Sequence, residues 1–66
     1  MENKMIWMQI RTLHLDESVT YCADCWFDNN KNKFTYYAVA HETKAGFVKR
    51  IVNSIRHEFK IKPEVI

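Results

Sequence analysis

From Met5 to Leu15 apolar and polar side chains alternate, and this period of two constrains the fold more than any other feature of the chain. Ile6, Met8 and Ile10 fall on one side; Trp7, Gln9, Arg11 and Leu13 fall on the other. Successive side chains of a strand point to opposite faces, so the run predicts a β-strand over 5–15. Asp16-Glu17-Ser18 supplies a polar turn. A second alternation, 19–27, sets Val19, Tyr21, Ala23, Cys25 and Phe27 against Thr20, Cys22, Asp24 and Trp26. Asp28 to Asn32 is rich in Asn and Asp, which tolerate left-handed backbone angles, and it predicts a hairpin. A third strand is expected over 33–41, with Phe34, Tyr36, Ala38 and Ala40 opposed to Thr35, Tyr37, Val39 and His41.

The period then changes. Phe47, Val48, Ile51, Val52, Ile55 and Phe59 recur at three- and four-residue steps, the apolar stripe of a helix over about 44–60. Thr43 is a suitable N-cap, because its hydroxyl can accept from a free backbone N–H. Pro63 bars continuation. The expected fold class is therefore α+β: a three-stranded antiparallel sheet (β-β-β) with one C-terminal helix packed on one face. One domain is expected over 1–66, with a tail, 61–66, that is mobile or docked on a partner. The sheet face meeting the helix would hold Ile6, Met8, Ile10, Tyr21, Ala23, Cys25, Phe27, Phe34, Tyr36, Ala38 and Ala40, with the alanines leaving room for the helix.

At 66 residues the core is thin. A chain near this size buries only about 60% of the surface its unfolded form exposes, and such chains often add a disulfide, a metal or a second subunit. No apolar run approaches the roughly 20 residues that cross a bilayer. Gln9 and Arg11 interrupt the N-terminal apolar stretch, so no signal-peptide core is read and a cytoplasmic location is expected. Net charge is +2 but uneven: −3 over residues 1–30 and +5 over 31–66. That polarity would steer an acidic partner toward the second half.

Cys22-Ala23-Asp24-Cys25 is a lone CxxC. Zinc sites place such pairs on turns, where both thiolates converge on one ion. Here the pair lies within an expected strand, which sends Cys25 to the core and Cys22 to the outer face. Cys22 and Cys25 are weak metal candidates for that reason, and no metal or cofactor is expected. Catalysis finds no footing either. Ser18 and Ser54 are the only serines, His14, His41 and His57 are scattered, and the single Gly46 excludes a glycine-rich phosphate loop. A non-enzymatic protein that binds no small-molecule substrate is the expectation.

Two surfaces suit binding. The outer sheet face would present Trp7, Arg11, Trp26 and Tyr37, and Trp, Tyr and Arg dominate the energetics of interfaces. Such a sheet either packs on a protein, including a second copy of the chain, or stacks unpaired bases. The outer helix face would carry Lys49, Asn53, Arg56 and Lys60 in one stripe, with Arg50 and His57 beside it. Basic stripes grip phosphates or acidic protein surfaces; a charged solvent face is the ordinary alternative.

Over residues 19–60 the order strand–turn–strand–helix, with His41-Glu42-Thr43-Lys44-Ala45 leading into Phe47, resembles the small three-stranded arm-binding domains of phage integrases. The resemblance implies a sheet lying in the DNA major groove. The sheet here carries Asp24 and few basic residues, so no DNA-contacting residue carries over. The expected function is a protein-binding module, an inhibitor or adaptor of the kind phages and mobile elements encode. It would occupy a partner's surface and associate with itself as a homodimer. The alternative is a nucleic-acid-binding domain.

Overall fold

The computed structural model describes residues 5–66, apart from the side chains of residues 30 and 31. Three long strands come first: β1 (Ile6–Leu15), β2 (Ser18–Phe27) and β3 (Asn30–Tyr37). Helix α1 (Lys44–Phe59) follows, and then a short β4 (Glu64–Val65). The sheet order is β3-β2-β1-β4, antiparallel across the first three strands and parallel between β1 and β4. The architecture is the expected α+β sheet with one helix, extended by the fourth strand.

Each hairpin is tighter than the sequence suggests. Leu15 pairs with Ser18, leaving only Asp16 and Glu17 in the first loop. Asp16 takes a left-handed φ of 54°, which Asp tolerates better than most residues. The Ser18 hydroxyl closes the turn by donating to the Leu15 carbonyl at 2.8 Å. In the second hairpin Phe27 pairs with Asn30, so β3 begins at 30 rather than 33. A register shift between Cys25 and Phe27 absorbs the change of pairing.

β3 also stops earlier than the expected 41, at Tyr37, and side chains explain the stop. Arg50 Nη2 donates to the Tyr37 carbonyl at 3.2 Å. The Val39 N–H donates to Glu42 Oε1 at 3.0 Å, and His41 adopts a φ of 65°. These bonds hold Tyr37 to Glu42 in a turn rather than an extended strand, and Ala40 is exposed instead of joining the core face.

Thr43 caps α1 as expected, its hydroxyl accepting from the Gly46 N–H at 3.0 Å. At the other end Lys60 turns left-handed and its N–H donates to the Arg56 carbonyl at 3.0 Å. Residues 61–66, expected to be mobile or docked on a partner, return to the sheet instead. Ile61 packs on the core, Pro63 is buried, and Glu64 and Val65 pair with Trp7 and Met8.

The core lies between α1 and one sheet face. Phe47, Ile51 and Ile55 of the helix meet Ile6, Met8, Ala23 and Cys25, all fully buried. Each of the large side chains contributes about 1.5–3 kcal/mol by leaving water. Toward the helix C-terminus an aromatic cluster extends this layer: Phe59 meets Phe27 edge-on at 5.4 Å and Phe34 at 5.7 Å between centroids. Among the described residues no helix is long and apolar enough to cross a membrane.

Candidate functional site: the open face of the sheet

The helix covers one face. The other is built in cross-strand rows by the register of β1, β2 and β3. Trp7 stands opposite Trp26; Gln9, Asp24 and Thr35 form the next row; Arg11, Cys22 and Tyr37 the next; Leu13 and Thr20 follow. The four sheet residues singled out from sequence, Trp7, Arg11, Trp26 and Tyr37, therefore share one face. Tyr37 is 64% exposed, whereas both tryptophans are half-buried. Their surroundings explain the difference. Trp7 Nε1 donates to Asp28 Oδ1 at 3.0 Å, and the Lys33 ammonium lies 5.5 Å from the Trp26 ring centre.

A polar network fills the middle of the face. Arg11 Nε donates to Asp24 Oδ2 at 2.6 Å and its Nη2 to Oδ1 at 3.3 Å. The Thr35 hydroxyl donates to Oδ1 at 2.9 Å. Asp24 is only 7% exposed, while the Arg11 side chain is about half exposed. The hydrogen bond from Arg11, aided by Thr35, holds the Asp24 carboxyl below its usual range despite burial. The same bond raises Arg11. The network fixes the guanidinium in place and leaves one side of it open to a partner, so ordering that long side chain costs little at the moment of binding.

The CxxC does not form a ligand pair. Cys22 and Cys25 are free, and three residues apart on β2 they face opposite sides. Cys25 is in the core as expected, and burial pushes its thiol up to about 11. Cys22 lies on the open face, as expected, and is nevertheless fully buried. Arg11 and Tyr37 flank it in register. Among the described residues no group of three or more His, Cys, Asp or Glu side chains is placed to hold a metal ion.

The basic helix residues separate into two kinds. Arg50 is a structural clamp: Nε and Nη2 engage Glu42 at 2.8 and 2.9 Å, and the guanidinium sits 5.6 Å from the Phe47 ring centre. Its hydrogen bond lowers the Glu42 carboxyl. Lys49, Arg56 and Lys60 are exposed and form no ion pair among the described residues. Gly46, Lys49, Arg50, Asn53, Ser54 and His57 border a shallow depression of about 520 Å³ on this side of the helix.

Sequence reasoning missed the Arg11–Asp24–Thr35 network and the Trp7–Asp28 bond. Their signal was the turn length. A two-residue loop at 16–17 places Arg11 diagonal to Asp24; a three-residue loop at 16–18 displaces every pair by one. No family model, curated protein or solved structure matches the chain. The likeness to integrase arm-binding domains thus rests on element order and residues 41–47 alone.

Proposed function

We propose that this chain is a small non-enzymatic binding module that acts by occupying the surface of a protein partner, as an inhibitor or adaptor does. The observation that carries this reading is the open sheet face, where two register-opposed tryptophans, a prearranged Arg11 and an exposed Tyr37 lie on one face. These residue types supply most of the binding energy where they are desolvated by a partner. Self-association as a homodimer belongs to the same reading, since a thin core gains stability from a second copy.

The test is capture from a lysate of the source organism, identification by mass spectrometry, and reconstitution with the purified partner. Trp26→Ala is expected to weaken that complex at least tenfold while the helix signal in circular dichroism persists. Equal affinity of the folded variant and the parent would remove the open face from the account.

A second reading is supported by Lys49, Arg56 and Lys60 on one helix face, which form no ion pair among the described residues. On this reading the helix binds nucleic acid, and affinity falls steeply with added salt because each phosphate contact releases counterions. A gel-shift series at low salt decides it. No shift of labelled DNA or RNA, or a shift that survives Lys49→Gln, Arg56→Gln and Lys60→Gln together, excludes the helix.

A further inference from the structure

Residues 38–41 carry a pattern that the fold leaves unused. Phe34, Tyr36, Ala38 and Ala40 alternate with Thr35, Tyr37, Val39 and His41, the period of a strand, yet β3 ends at Tyr37. β3 pairs with β2 without a shift from Phe34 to Tyr37. One further bond, from the Ala38 N–H to the Tyr21 carbonyl at 2.9 Å, continues that register. Beyond it the chain leaves the sheet.

The β2 edge beside it is unfilled. Alternate residues of β2 direct their backbone groups toward β3, and Tyr21 is one of them, so Val19 directs its N–H and C=O to the same edge. Among the described residues no hydrogen bond reaches those two groups or the Tyr21 N–H from that side. A depression of about 380 Å³ lies where a longer β3 would run, between Ser18, Val19 and Thr20 and the segment Val39 to Glu42. Val19 and Val39 on its margins are 53% and 61% exposed.

A turn holds the segment back. The Glu42 N–H donates to the Val39 carbonyl at 3.2 Å, and the Val39 N–H donates to Glu42 Oε1 at 3.0 Å. Arg50 ties the same carboxylate to α1 at 2.8 and 2.9 Å. Against these bonds stands His41, whose φ of 65° lies in the left-handed region that residues other than Gly, Asn and Asp disfavour. In an extended segment the Val39 N–H points away from β2, so this latch holds the turn without using a group that the β2 ladder needs.

We propose that residues 38–41 are a two-state segment: latched as a turn by Glu42 and Arg50, and extending β3 along β2 through Ala40 when the latch is released. The existing register sets Ala38 opposite Tyr21, Val39 opposite Thr20 and Ala40 opposite Val19. Three backbone bonds form, from the Tyr21 N–H to the Ala38 carbonyl and reciprocally between Val19 and Ala40. His41 leaves the left-handed region and the depression closes. Residues 41–43 remain as the connection to α1, an ordinary length for a strand–helix loop, and the Thr43 cap is untouched. Val39 then stands beside Thr20 in the next row past Tyr37, so the latch sets how far the open face extends, whatever that face binds.

Glu42→Ala removes the latch and leaves the Thr43 cap in place. Nuclear magnetic resonance of the full chain reads both states. Thr20 and Val39 become a non-hydrogen-bonded pair in the extended form, with Cα atoms about 4.5 Å apart and a close Hα–Hα contact. That contact is expected to be absent in the parent and present in Glu42→Ala, where the Val19, Tyr21 and Ala40 amides exchange at least tenfold more slowly. Adding His41→Gly to Glu42→Ala is expected to abolish the contact and the protection, because glycine adopts the left-handed region freely. His41→Val disfavours the turn with Glu42 intact and is expected to slow the same amides. A folded Glu42→Ala protein with unchanged exchange at Val19 and Ala40 overturns the inference. If that variant does not fold, unchanged exchange in His41→Val overturns it. So does a Thr20–Val39 contact already at full strength in the parent.

Discussion

Replacing Phe47 with alanine on the helix side of the sheet, and Tyr37 with alanine on the open side, separates the face that stabilises the fold from the face available for binding. Phe47 is fully buried between α1 and the strands, and removing its ring costs about 3–5 kcal/mol. A chain of 66 residues has a total stability of about 3–10 kcal/mol at the usual per-residue value. The substitution therefore consumes a large fraction of the whole. With a urea dependence of about 1 kcal/mol per molar for so small a protein, the unfolding midpoint falls by about 3 M or more. Tyr37 is 64% exposed, and truncations at such sites usually stay within about 0.5 kcal/mol, or about 0.5 M in midpoint. Urea titrations followed by tryptophan fluorescence measure both. If Tyr37→Ala loses as much as Phe47→Ala, the open face is structural rather than vacant, and the reasoning fails. A Phe47→Ala shift below about 1 M would refute the placement of the core.

Two further outcomes follow from the titrating groups. The Asp24 carboxyl lies below its unfolded value of about 3.9, so the unfolded chain binds more protons in the window beneath that value. The stabilisation is present above the unfolded value and is lost as pH falls through the folded one. Asp24→Asn should flatten the acid limb of stability measured by urea titration between about pH 2 and 5, leaving the slope due to Glu42, which is lowered in the same direction. An unchanged limb contradicts the Arg11–Asp24 network. Cys25, pushed up to about 11 and buried, should remain a thiol at neutral pH and react slowly with a thiol probe in the native state. Urea should accelerate labelling by orders of magnitude; rapid native labelling would place the thiol elsewhere.

The periodicities carried the strands and the helix because they encode burial directly: Ile6, Met8, Ala23 and Cys25 alternate, and Phe47, Ile51 and Ile55 recur at helical steps. The Thr43 cap was legible because its bond to Gly46 is local. The end of β3 was not, because it depends on Arg50 reaching back to Glu42 and Tyr37 from another element. The same holds for β4. Glu64-Val65 is too short to show a period, and only the left-handed turn at Lys60 and the burial of Pro63 bring it to β1. The site residues Trp7, Arg11, Trp26 and Tyr37 were legible as a set, since parity alone assigns them to one face. Their mutual geometry was not, because it follows from a loop of two residues rather than three.

Both tryptophans of the chain, Trp7 and Trp26, lie on the open face, so intrinsic fluorescence reports on that face alone. Acrylamide quenching with and without the captured partner is the direct measurement, using a partner whose own tryptophans have been replaced. A partner seated on the open face is expected to reduce quenching severalfold. Quenching that stays the same with the partner fully bound would contradict the account and move the binding surface elsewhere on the molecule.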